Sequence, residues 1–257
     1  MKIVVAKTAG FCMGVRRAVD LVLDASNLSK GPIYTYGPLI HNPQVLLMLE
    51  EKNIFKIDKI PEKGTGIVLV RAHGVPPEDE KALKTAGFTV INATCPRVVR
   101  VQVIIDRYAQ KGFSTIIIGD EKHPEVVGLL GYAKGKGHVI TSMEMFCALP
   151  KFEKVVVVAQ TTQDTAFYNK IKLWCKANAP HYKIFDTICG STEKRQAEIR
   201  KLAKENDAVI VVGGKQSGNT KRLAQIASQT GKPVTHIEDV SQIDYGKLSS
   251  ARSVAIT

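Results

Sequence analysis

Short β-branched runs recur along the chain and alternate with amphipathic, charge-bearing segments, and this alternation limits the fold more than any other feature. The runs are IVVA at 3–6, GIVLVRA at 66–72, FTVINA at 88–93, STIIIGD at 114–120, KVVVVAQ at 154–160, YKIFD at 182–186 and AVIVVGG at 208–214. Between them lie segments such as EDEKALKTAG, RVVRVQVIIDRYAQKG, AFYNKIKLWCKANA and EKRQAEIRKLAKEN. A strand that is apolar throughout must be covered on both faces, and alternating helices are the usual cover for a parallel sheet. The pattern predicts an α/β fold. With 257 residues, 44% of them hydrophobic and 23% charged, the chain has the composition of an ordered globular protein. No Gly/Ser/Pro-rich linker divides it, so its units are expected to pack directly.

Two cysteines sit in nearly the same frame. FTVINATC, ending at Cys95, and YKIFDTIC, ending at Cys189, both read aromatic, polar, aliphatic, apolar, Asn or Asp, two more residues, Cys. Cys12 lies 83 residues before Cys95, similar to the 94 that separate Cys95 from Cys189. This spacing predicts a triplication into α/β units at 14–95, 96–186 and 187–257, the third completed by residues 1–13. The KIVVA strand is expected to return near SVAIT at 253–257. On the same pattern a strand-end loop and a helix are expected after SVAIT, outside the given sequence.

Five widely spread cysteines and no secretory leader argue against a disulfide framework and for reduced thiols in the cytoplasm. No run of about 18 apolar residues exists, so no membrane span is expected. Thiolates from three units meeting at one centre would be soft ligands for zinc, copper(I) or an iron–sulfur cluster. The absence of closely spaced cysteine pairs argues against a zinc ribbon. A cuboidal four-iron cluster suits three cysteines better, leaving a fourth iron open as Lewis acid and electron relay. An isolated cytosolic cysteine is more often a small buried hydrophobe, and that reading is adopted for Cys147 and Cys175.

Ligands of parallel sheets sit beyond the carboxyl ends of the strands. The loops there hold His73, His123, Thr161, Thr162, Ser217 and Asn219, and His41 lies in a similar Gly/Pro-flanked loop; together they are hydrogen-bond donors suited to a diphosphate. GGKQSGNTKR is not a Walker A loop; its glycines could serve only a tight turn, but the helix start that follows also offers N–H groups to an anion. Glu125 is the one carboxylate in this set. Desolvated beside negative charge it would gain a raised pKa and suit a proton donor; a plain helix-start glutamate is the simpler alternative. His138, His181 and His236 are read as structural or surface residues. The net charge of +12 favours an anionic partner, but the basic residues are interspersed with acidic ones, which argues against nucleic acid.

Taken in order, GFCMGV, IHNP, AHGV, ATCP, HPEV, QTTQD, DTIC and GGKQSGNT resemble the 4-hydroxy-3-methylbut-2-enyl diphosphate reductase family over nearly the whole chain. The resemblance implies a pseudo-threefold trefoil of three α/β units around a 4Fe–4S cluster bound by Cys12, Cys95 and Cys189, with one iron not bound by cysteine. It implies two-electron reductive dehydroxylation of an allylic diphosphate to isopentenyl and dimethylallyl diphosphates, the last step of the non-mevalonate pathway. By motif, His41, His73, His123, Ser217, Gly218 and Asn219 would hold the diphosphate, Thr161 would bond the substrate hydroxyl region and Glu125 would deliver protons. Ferredoxin or flavodoxin would supply electrons, and a monomer is expected. Two departures stand out. Gly218 occupies a position where some members have serine, and the Ala-Gly-Ala-Ser stretch expected after SVAIT is absent. A cluster-bearing hydro-lyase and a basic RNA- or protein-binding module are the competing readings; consumption of reduced carrier separates the first, and cluster absorbance the second.

Overall fold

The computed structural model describes residues 1–29 and 31–257. The chain opens with strand β1 (Lys2–Val5) and helix α1 (Met13–Leu28). A first sheet follows: β2 (Ile33–Tyr36), α2 (Pro43–Glu51), β3 (Ile54–Ile57), β4 (Ile67–Val70), α3 (Pro77–Ala86) and β5 (Thr89–Asn92). Helix α4 (Pro96–Ala109) leads to the second: β6 (Ser114–Ile118), α5 (Pro124–Gly131), β7 (Gly137–Ile140), α6 (Met143–Cys147), β8 (Val155–Ala159), α7 (Thr165–Asn178) and β9 (Lys183–Ile184). Helix α8 (Gly190–Glu205) then leads to β10 (Ala208–Val212), α9 (Gly218–Ser228), β11 (Val234–Ile237) and β12 (Ser253–Ile256).

The three four-stranded sheets share one strand order. It is β3-β2-β4-β5 in the first, β7-β6-β8-β9 in the second and β11-β10-β12-β1 in the third, and every pairing is parallel. The N-terminal strand closes the third sheet, with Lys2 opposite Ser253 and Val5 opposite Ile256. The expected α/β trefoil is thus present, each lobe built as strand, helix, edge strand, central strand and final strand.

Burial explains the pattern. All five residues of β8, VVVVA, are inaccessible to solvent, each valine being worth about 1.5–3 kcal/mol of burial. One face of the second sheet packs on Val98, Val101 and Ile105 of α4, the other on Tyr168 and Ile171 of α7. In the first sheet, Leu83 of α3 packs with Val68 and Val70. Between β12 and β1, at opposite ends of the chain, no equivalent helix lies among the described residues, and Ile3 and Val5 are exposed. Each of the seven apolar runs forms a strand. The interior strand β2 (IYTY) and the edge strands β3 (IFKI), β7 (GHVI) and β11 (VTHI) escape that reading, because tyrosine, threonine, lysine, histidine or glycine interrupts the apolar run in each.

A chamber where three lobes meet

The repeated order brings equivalent strand ends to one place. The final strands β1, β5 and β9 run into Cys12, Cys95 and Cys189, and each cysteine is the N-cap of the next helix, α1, α4 or α8. The first strands β2, β6 and β10 lead to His41, His123 and Ser217. The central strands β4 and β8 lead to His73 and Thr161. All of these, with Glu125, Gly218 and Asn219, line one cavity of about 430 Å³. The chamber therefore unites every residue singled out for the site, and the last two residues of the chain, Ile256 and Thr257, also border it.

The three cysteine caps, like Pro76 at the start of α3, make no side-chain cap bond. Asn42, Ser142, Asp164 and Ser217 each accept a hydrogen bond from their helix, whereas none of the three thiols does. All five cysteines of the chain are free. Burial pushes the Cys95 thiol up, the Arg97 and Val98 amides pull it down, and Cys12 and Cys189 push it up again, so the three sulfurs feel one another. Gly14 permits this approach, since a β-carbon there would lie 2.5 Å from the Cys95 sulfur. Sequence reasoning passed over Gly14, whose contact with Cys95 is made between lobes. Cys175 is buried in the second lobe as expected, but Cys147 is exposed at the end of α6, correcting its reading as a buried hydrophobe.

His41, His73 and His123 cluster with ring centroids 4.5, 5.3 and 5.9 Å apart. His41 Nε2, His73 Nδ1 and His123 Nε2 are buried with no hydrogen-bond partner among the described residues. Burial is the leading cause that lowers all three pKa values: His41 and His123 to about 4, and His73 well below the ordinary range with help from both neighbours. The rings are neutral at pH 7. Their ligand atoms lie within 4.8 Å of one another, close enough to suggest a metal site. The local hydrogen bonding favours an anion instead. His123 is the N-cap of α5, and its Nδ1 accepts the Glu125 N–H at 3.1 Å. In a neutral ring the proton must then sit on Nε2, which aims a donor rather than a lone pair at the chamber.

Glu125 is 2% exposed. It accepts the Thr161 N–H at 2.6 Å and the Thr161 hydroxyl at 2.8 Å. Burial raises its pKa to about 7, the two Thr161 bonds opposing and Asp120 adding a little. Beside it, Gln160 accepts the Asp120 N–H and donates to Thr162 Oγ1 at 2.9 Å, leaving the Thr162 hydroxyl proton free to point elsewhere. Gly218 is close to this group. A β-carbon there would come within 2.9 Å of His123 Nε2, 3.0 Å of Thr162 Oγ1 and 3.1 Å of Gln160 Nε2, so glycine gives these polar atoms room that serine would take. The remaining histidines are structural: His236 bonds the Gly213 carbonyl, His181 the Phe152 carbonyl, and His138 packs on Phe152.

Fold and site together define a three-lobed α/β enzyme with a thiol- and imidazole-lined chamber at its centre. The LytB protein family model matches residues 3–257, and the chain belongs to that family. It is 39% identical over 262 residues to the 4-hydroxy-3-methylbut-2-enyl diphosphate reductase of Aquifex aeolicus, covering 99% of this chain and 89% of that one. The same-named protein of Citrifermentans bemidjiense is 38% identical, with 100% and 91% covered. Among solved structures, the E-1-hydroxy-2-methyl-but-2-enyl-4-diphosphate reductase of Plasmodium falciparum superposes with a TM-score of 0.94 at 28% identity, over 100% of this chain and 82% of that one. A second solved reductase, described as the terminal enzyme of the non-mevalonate pathway, is 37% identical with a TM-score of 0.70, over 100% and 93% of the two chains.

Proposed function

We propose that the chain is an iron–sulfur reductase that removes the hydroxyl group of 4-hydroxy-3-methylbut-2-enyl diphosphate. The balance is R–OH + 2e⁻ + 2H⁺ → R–H + H2O, and the products are isopentenyl and dimethylallyl diphosphates. One observation carries the reading: three uncapped thiols, three neutral imidazoles and one buried carboxylate face a common chamber in a chain of the LytB family.

The donor set fits the cofactor. Three soft thiols, each at the N-terminus of a helix and bordering one chamber, suit a cationic iron core. Cys12, Cys95 and Cys189 would hold a 4Fe–4S cluster with one iron free of cysteine, which when bound supplies Lewis acidity toward the substrate oxygen and relays the electrons.

The chain's own groups do the rest. His123 Nε2–H, His41 and His73 bind the diphosphate as neutral donors. Ser217, the Gly218 N–H and Asn219 add the free N-terminal turn of α9, where the helix dipole favours an anion. With a pKa near 7, Glu125 is protonated in a large share of molecules at neutral pH. It donates to Thr161 Oγ1, and the Thr161 hydroxyl hands its proton on to the departing oxygen. Both residues are buried at the chamber wall.

The same reading divides the chain into repeats at 14–95, 96–186 and 187–257, with residues 1–13 completing the third. It makes the enzyme a cytoplasmic monomer fed by ferredoxin or flavodoxin. No helix among the described residues is long and apolar enough to cross a membrane. The test is an anaerobic assay with the allylic diphosphate and reduced methyl viologen. Two viologens oxidised per diphosphate product are expected; a hydrated product formed without viologen oxidation would point to a hydro-lyase.

A further inference from the structure

The three cysteines are reached by loops of different length. Residues 93–94 separate β5 from Cys95 and residues 185–188 separate β9 from Cys189, whereas residues 6–11 separate β1 from Cys12. In the two shorter loops a backbone bond fixes the thiol-bearing residue itself: the Cys95 N–H donates to the Ala72 carbonyl and the Cys189 N–H to the Thr161 carbonyl, both at 2.9 Å. A longer loop has more conformations to lose before its last residue is placed. The 6–11 loop also turns at Gly10, whose φ of +94° lies in the left-handed region that favours glycine.

Helix α8, which begins at Cys189, grips that loop with two side chains one turn apart. The Glu198 carboxylate accepts the Lys7 N–H at 2.8 Å through Oε1, and the Thr8 N–H at 2.9 Å and the Thr8 hydroxyl at 2.5 Å through Oε2. Arg195 donates to the Gly10 carbonyl at 2.5 Å. Residues three apart on a helix are neighbours, and an Arg and a Glu so placed are able to pair. Among the described residues neither is in an ion pair; both direct their charge to the loop. Burial pushes the Glu198 pKa up, but the bonds from Thr8 and Lys7 outweigh it and hold the carboxyl below its usual range. Hydrogen bonds to an ionised group are the stronger kind. One helix thus carries the Cys189 thiol at its start and holds the Cys12 loop farther along.

We propose that Glu198 is a positioning residue for the Cys12 thiol, setting its distance from the thiols of Cys95 and Cys189 through the 6–11 loop. Its consequence for bound iron rests on the reductase reading above. Neither Glu198 nor Thr8 lines the chamber, so the effect reaches the site through the loop alone.

Glu198→Ala is tested first in metal-free protein, where the outcome does not depend on the cofactor. Dibromobimane, a short reagent that joins two nearby thiols, is applied to wild type and variant, and the joined pairs are identified by peptide mass spectrometry. The yields of Cys12–Cys95 and Cys12–Cys189 are expected to fall about tenfold, while the Cys95–Cys189 yield holds or rises. A general loss of fold would lower all three. Glu198→Gln, which keeps an acceptor, should recover part of the Cys12 yield, and Thr8→Val, which removes only the hydroxyl bond, should lose less than Glu198→Ala. In anaerobically reconstituted protein, Glu198→Ala should release iron to a chelator about tenfold faster than wild type, with Cys12 the first thiol to be alkylated. Unchanged Cys12 yields in Glu198→Ala, or a wild type with no Cys12 cross-link, overturn the proposal. If Glu198→Ala folds poorly, Glu198→Gln and Thr8→Val decide, and equal losses in all three pairs there overturn it too. A wild type that binds no iron yet shows the selective Cys12 losses refutes the reductase reading and leaves the positioning role standing.

Discussion

Glu125 is the buried carboxylate on which the proposed proton delivery rests. Its ordinary pKa of 4.5 rises to about 7 in the folded protein, because burial outweighs the two bonds from Thr161. The folded chain therefore holds a proton there that the unfolded chain releases between pH 4.5 and about 7. The associated stability is fully present below pH 4.5 and is lost as pH rises through about 7, a difference of about 3 kcal/mol. Glu125→Gln, which keeps the shape and cannot ionise, is expected to stabilise the protein at pH 8 and leave it unchanged at pH 4.5, as read by urea unfolding. The same variant should lower kcat by about 10²–10⁴-fold with iron content intact, and wild-type kcat should decline above about pH 7. A flat profile would remove Glu125 from the proton path. Gly14 is the second residue of this kind. Gly14→Ala drives a methyl group into the Cys95 sulfur, at a cost of about 1–3 kcal/mol of overpacking, and is expected to reduce bound iron while helix content by circular dichroism holds.

Among the helices, those starting at the cysteines forgo the caps that α2, α6, α7 and α9 take from Asn42, Ser142, Asp164 and Ser217. A good N-cap is worth about 1 kcal/mol, so the chain gives up roughly that much at each thiol. Cys95→Ser supplies the missing cap. The metal-free variant is expected to be about 1 kcal/mol more stable than metal-free wild type in urea unfolding, while losing the iron of the loaded protein; a less stable metal-free variant would show that Cys95 is held for packing alone. The strands also show what could be read in advance. Central strands such as β8 and β10 announce themselves because both faces are buried. The edge strands β3, β7 and β11 do not, since lysine, histidine, threonine or glycine interrupts their apolar run. The site residues were readable because each lies just past a strand. The contact of Gly14 with Cys95 was not, because it depends on how two helices meet across the lobes.

For the whole molecule, one strand order used three times places three kinds of strand end around a single chamber. The final strands deliver thiols, and the first and central strands deliver imidazoles and hydroxyls. All of this depends on three thiols from three lobes gripping one inorganic core. Iron and acid-labile sulfide, counted per chain in anaerobically purified protein before and after thiol alkylation, test it directly. The expected result is about four of each per chain, with Cys12, Cys95 and Cys189 shielded from alkylation until the iron is removed. Less than one iron per chain after anaerobic reconstitution, with all three thiols freely alkylated, would contradict it.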